Sequence, residues 1–142
     1  MTRSRSQMSP WQYRTRIGLS LFYAAAGLFH LFRPGVFVTI TPDWVPFARE
    51  VILFTGLCEL AGCVGLWDAR LCKAAAIGLS LYAVCVYPAN IKHAMIFMGT
   101  PGRSLWPWLY HLPRLALQPV LVWLPLFAAN LTTWPFNRGP TP

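Results

Sequence analysis

The 142-residue sequence predicts an all-α fold, a polytopic membrane four-helix bundle with interfacial loop segments on its outer face. Three observations lead there. Only 11% of the residues are charged and 56% are apolar or aromatic, less than half the ionic content of an ordinary soluble domain, about 25%. The charges fall between four apolar blocks instead of along one face of each. Inside the blocks polar residues are too sparse for an amphipathic stripe: residues 74–91 offer only Ser80, Tyr82, Tyr87 and Asn90. Seven Trp, nine Phe and five Tyr exclude the low-hydrophobicity signature of disorder. The net charge of +8 does not indicate a nucleic-acid partner, because the cations are interspersed with apolar blocks and form no basic stripe. The partner these features imply is the lipid bilayer.

In chain order, residues 1–16 form a basic segment on the cytoplasmic side, and residues 17–134 form one transmembrane domain. Its spans are expected at residues 17–32, 51–67, 74–91 and 115–134, with a short tail at 135–142. A helix crosses the hydrocarbon layer with about 17–25 residues; three blocks reach that length and the first, at 16, nearly does. Ala24 to Ala26 resemble a small-residue cleavage site, but the apolar run continues through Leu28, Phe29, Leu31 and Phe32, so the first span reads as a retained helix. The loop at 33–50 is too apolar for a solvated connection and too broken by Pro34, Pro42 and Pro46 to span; its 36–47 stretch is expected to dock over an outward cavity. The loop at 92–114 gathers Trp106, Trp108, Tyr110 and His111 around Pro107 and Pro113, the composition of an interfacial belt.

Seven Lys and Arg (Arg3, Arg5, Arg14, Arg16, Arg70, Lys73 and Arg138) fall on the side of the termini, against Arg33, Arg49, Lys92, Arg103 and Arg114 on the other. With four of them ahead of the first span, this bias places both termini in the cytoplasm of a bacterial-type membrane. Helix association is expected through small residues, at Ala61-x-x-x-Gly65, Ala74-x-x-x-Gly78 and residues 24–27. Pro119 and Pro125 should kink the fourth span.

Glu59 is the ninth of the seventeen residues in the second block, near the bilayer midplane, where a carboxylate costs about 3 kcal/mol or more. It must face the interior, find a partner or be protonated. By depth, His30 and Asn90 are the nearest polar residues, and Arg114 and Gln118, one turn apart, complete a candidate polar pocket with His93 just outside. Phe29, Trp44 and Tyr87 are the candidate ligand wall. The alternative is a structural knot that fixes helix register. Cys58, Cys63, Cys72 and Cys85 contain no Cys-x-x-Cys pair, which argues against a thiol relay, and no metal-ligand spacing is present. The sequon at Asn130 falls in the last turns of a span and reads as incidental.

Residues Gly27 to Pro34 (Gly-Leu-Phe-His-Leu-Phe-Arg-Pro), Thr55-Gly56-Leu-Cys-Glu59-Leu and Val86-Tyr-Pro-Ala-Asn90-Ile resemble the DoxX-like family of small four-helix membrane proteins, and Arg114 with Gln118 resembles its fourth-helix entry. The similarity covers about residues 18–125, and the run His111 to Gln118 departs from the family in detail. The resemblance implies a quinone-interacting membrane subunit of a respiratory or redox complex, with a quinone as ligand and electrons arriving through a membrane redox partner protein. It equally admits a non-catalytic scaffold or assembly factor that binds other transmembrane proteins, and a homo-oligomer. No catalytic residue is assigned by either reading.

Overall fold

The computed structural model describes residues 8–99 and 106–134, whose regular structure is all helix joined by turns and irregular stretches, with no strand among them. Arg3, Arg5, Arg103, Arg138, the side chain of Trp106 and the tail at 135–142 lie outside the described residues. Helix α1 spans Pro10–Phe32 and so begins well inside the segment expected to be a basic leader. The cause is local: the Ser9 hydroxyl accepts from the Gln12 N–H, the Gln12 side chain accepts from the Ser9 N–H, and Pro10 occupies the first turn. The helix stops at Arg33, ahead of Pro34, and a short α2 follows at Pro34–Val38. An irregular stretch leads to Phe47, whose left-handed backbone (φ 50°) turns the chain into α3, Ala48–Trp67. Asp68 Oδ1 then accepts from the N–H groups of Arg70 and Leu71, a tight turn that delivers α4 at Cys72–Cys85.

The last two blocks are not single uninterrupted helices. Helix α5 (Tyr87–Met98) continues α4 after a break at Val86, and α6 (Trp106–Ala116) passes into α7 (Gln118–Ala128) after a break at Leu117. Pro88 and Pro119 sit just after these breaks; neither can donate to the carbonyl four residues earlier, so each ladder loses a rung there. Helix α7 ends at Ala128, and Asn130, with φ 58°, turns the chain just beyond it, short of the boundary expected at 134.

Three stretches are long and apolar enough to cross a membrane: Pro10–Phe32, Ala48–Trp67 and Cys72–Met98, while the apolar helix Gln118–Ala128 is shorter. Helix α1 packs on α3, α3 on α4, α4 on α7 and α7 on α1, closing a ring; α5 packs on α6 and α2 on α3. The ring encloses Leu19, Tyr23, Cys63, Leu66, Ala76 and Leu79. Its outward face carries exposed Leu21, Phe32, Phe54, Val64, Leu81 and Met95, a distribution suited to an apolar surrounding and not to water. Of the small-residue motifs, Gly65 does meet α4, where a Cβ would lie 2.8 Å from the Cβ of Ala75, but Gly78 faces open space and makes no close approach. The tightest backbone approach lies at the end of the 24–27 stretch, where Gly27 of α1 meets Gly56 of α3, a residue outside the small-residue motifs; an added Cβ on either would come within 2.9 Å of the other's carbonyl oxygen.

At the end of the bundle holding the start of α1, Gln12 is buried and donates to the Phe127 carbonyl (3.2 Å) and the Asn130 side chain (3.0 Å). Arg16 donates to the Ala128 carbonyl at 2.9 Å, placing a cation at the C-terminus of α7, where the helix dipole favours one. At the opposite end, the 36–47 stretch is tied down by Lys92, which donates to the Thr41 carbonyl and the Asp43 carboxylate, both at 2.7 Å. Only part of the stretch docks as expected: Phe37 and Ile40 turn inward, while Trp44 and Phe47 stand exposed.

Candidate functional site

The Gly27–Gly56 approach positions the first pair of polar residues. With the α1 and α3 backbones in contact there, side chains one turn further on, His30 and Glu59, face each other, and His30 Nδ1 lies 2.7 Å from Glu59 Oε2. Glu59 is only 2% exposed and His30 12%. At that separation one proton must lie between the nitrogen and the oxygen, so the pair holds a shared proton inside an apolar bundle. Phe37 of α2 lies edge-on to the imidazole, with centroids 4.1 Å apart, and forms the lid between His30 and the outside. From α4, the Tyr82 phenol lies near Glu59 and Thr55, and its ring meets buried Tyr23 edge-on at 6.2 Å.

Asn90 does not join this pair. It sits on α5, which packs on α6, and there it forms a second cluster: Arg114 Nη2 donates to Asn90 Oδ1 (2.5 Å), and Asn90 Nδ2 donates to Gln118 Oε1 (3.2 Å). Gln118 in turn donates to the Ala83 carbonyl of α4. Arg114 Nη1 lies 3.0 Å from His93 Nδ1. A guanidinium only donates, so Nδ1 is the acceptor and His93 is neutral, with its proton on Nε2. The single pocket expected from His30, Glu59, Asn90, Arg114 and Gln118 is therefore two clusters, split between the α1–α3 contact and the α5–α6–α7 seam.

The candidate wall of Phe29, Trp44 and Tyr87 is not assembled. Phe29 stacks edge-on against Phe37 and is half exposed, Trp44 points away from the bundle between Pro42 and Pro46, and Tyr87 belongs to the second cluster's side. There Val84, Tyr87, Leu115, Ala116, Gln118, Pro119 and Val122 line a shallow, mainly apolar groove of about 370 Å³. It lies alongside the helix breaks and not under the 36–47 stretch, where an outward cavity was expected. Prediction from residue types also passed over Tyr23 and Tyr82, which look like ordinary aromatic filling in an apolar block, and over buried His111, whose ring meets those of His93 (4.7 Å) and Tyr110 (4.9 Å). The one signal available for His111 was its place in the aromatic belt.

The four cysteines are unpaired thiols. Cys63 donates weakly to the Ser20 carbonyl, Cys72 accepts from Arg16, and Cys58 and Cys85 are exposed on the apolar exterior. Among the described residues no three His, Cys, Asp or Glu side chains converge on one point.

A family model described as a domain of unknown function, DUF8561, matches residues 19–129, which is most of the chain. The protein belongs to the DUF8561 family. The matched stretch takes in His30, Glu59, Asn90, Arg114 and Gln118, so both polar clusters lie within the DUF8561 domain, whereas Ser9, Gln12 and Arg16 at the start of α1 lie ahead of it. No curated protein and no solved structure matches the chain.

Proposed function

We propose that this DUF8561 protein is a multi-pass membrane protein whose His30–Glu59 pair exchanges a proton with a quinone, as a membrane subunit of a respiratory or redox complex of the kind the DoxX-like resemblance implies. In this reading α1, α3, α4–α5 and α6–α7 are the four crossings, and both termini face the cytoplasm. The observation that carries it is the 2.7 Å contact between His30 Nδ1 and Glu59 Oε2, two titratable groups buried in an otherwise apolar bundle. Quinone reduction consumes two electrons and two protons; the pair relays the protons one at a time, regaining each from water at the membrane surface, and the electrons come from a partner protein. The edge-on Phe37 and the Tyr82 phenol give the pair an aromatic border suited to a planar ring, and His30, the more exposed partner, is the point of entry.

The test is the composition of the purified protein. Wild type extracted from membranes in mild detergent should carry a quinone in lipid extracts, and Glu59→Gln, which keeps the shape but removes the titrating group, should fold with an unchanged melting profile and lose it. Retention of quinone by folded Glu59→Gln, or its absence from wild type, would sink the reading.

A second reading, a scaffold or assembly factor for other transmembrane proteins, draws on the Asn90–Arg114–Gln118 chain, in which side chains are spent joining α4, α5, α6 and α7 to one another. It predicts that a partner membrane protein co-purifies equally with wild type and with Glu59→Gln.

A further inference from the structure

Arg114 is a cation with no anion beside it. Its partners among the described residues, His93, Asn90 and the Tyr110 ring, are all neutral, and the acidic side chains lie elsewhere: Glu59 on His30, Asp43 on Lys92, Asp68 on its own turn, and Glu50 in the first turn of α3. A guanidinium set among apolar helices is costly unless a counter-charge reaches it. Arg114 is also only partly buried, and its Nε–H makes no hydrogen bond among the described residues, so it has a donor left for a ligand.

Beside it lies a second feature, the apolar groove of the α4–α5 and α6–α7 seam. The groove is lined by Leu115, Gln118, Pro119 and Val122 against Val84 and Tyr87, and its one strongly polar wall residue, Gln118, is joined to Arg114 through Asn90. Its lining is mainly apolar, and it follows the place where both α4–α5 and α6–α7 lose a helical rung to proline. A cationic, hydrogen-bonding end joined to an apolar trough matches a molecule with an anionic head and a hydrocarbon tail.

We propose that Arg114 and this groove form a binding site for an anionic membrane phospholipid, its phosphate on the Arg114 guanidinium and one acyl chain along Leu115, Pro119 and Val122. Asn90 and His93 hold the guanidinium in place through its two terminal nitrogens, leaving the remaining donor edge for the phosphate oxygens. The site is separate from the His30–Glu59 pair. It rests on the membrane reading of the chain, but not on the quinone assignment.

Native mass spectrometry of the purified protein in non-ionic detergent tests it, with phosphatidylglycerol and phosphatidylcholine of identical acyl chains and inorganic phosphate as probes. Recovery of the protein only from detergent-solubilised membranes checks the membrane reading on its own. Wild type should retain phosphatidylglycerol at least ten-fold more tightly than phosphatidylcholine, and millimolar inorganic phosphate should not displace it. Arg114→Gln should reduce the preference to near unity, Arg114→Lys should keep most of it, and Ala116→Trp, which fills the groove without touching the charge, should weaken both lipids. Should Arg114→Gln fail to fold, the Arg114→Lys and Ala116→Trp results decide. Equal retention of the two lipids by wild type, displacement by inorganic phosphate alone, or undiminished binding in Ala116→Trp would overturn the proposal.

Discussion

At Gly56 a single methyl group decides whether α1 and α3 can meet. Its Cβ would lie 2.9 Å from both the Gly27 carbonyl and the His30 Cβ, against backbone that has no room to retreat. Gly56→Ala should therefore cost about 1–3 kcal/mol, read as a lower melting temperature in detergent, and should separate His30 from Glu59. Gly18→Ala on the same α1 helix, where an added Cβ meets nothing within 4 Å, should be neutral or slightly stabilising. Glu59 stood out in the sequence because a lone carboxylate in an apolar block has few outcomes, and depth alone was enough to suggest His30. Depth could not tell that Asn90 belongs elsewhere. That depends on which helices are neighbours, and no pattern along the chain encodes the pairing of α5 with α6.

Helix boundaries were read from charges, and the largest discrepancy is at α1. The charge of Arg16 sets the expected start of the first span at residue 17, yet Arg16 is accommodated inside the helix because its guanidinium reaches the α7 C-terminus. The Ser9–Gln12 capping box was visible in the sequence and is the better signal for where a helix starts. Gln12 also links α1 to α7, so Gln12→Leu should remove the side-chain tie from α1 to the Phe127 carbonyl and the Asn130 side chain and lower stability by about 1–2 kcal/mol, with amides 9–16 exchanging faster with deuterium than in wild type. The docking of the 36–47 stretch hangs on Lys92. Lys92→Met should speed proteolysis between Thr39 and Phe47, whereas Asp43→Asn should change little, because the Asp43 carboxylate is almost fully exposed and such pairs contribute about 0–1 kcal/mol. Proline positions are a partial guide to the kinks: the break at Leu117 falls beside Pro119 as expected, Pro125 lies inside the unbroken α7, and the break at Val86 ahead of Pro88 is not foreseen; only the packed structure brings the two breaks to one groove.

For the molecule as a whole, the all-helical class was legible because composition and block length constrain it more strongly than any motif, and the closed ring of α1, α3, α4 and α7 has an apolar exterior in keeping with that composition. The proposed orientation predicts a cytoplasmic signal from reporters fused in the 68–73 turn and at the C-terminus, and an external one from fusions in the 33–47 stretch; a cytoplasmic signal from the region of Trp106 would reverse it. It also predicts that Cys58 and Cys85, exposed on the apolar exterior, react with a lipid-soluble maleimide and resist a charged one in intact membranes. The function proposed here stands on the proton shared by His30 and Glu59, and redox-induced infrared difference spectroscopy on purified protein with a bound isoprenoid quinone addresses that proton directly. Reduction of the quinone should produce a carboxyl-region change that is present in wild type and gone in folded Glu59→Gln; identical difference spectra from the two proteins would contradict the role assigned to the pair.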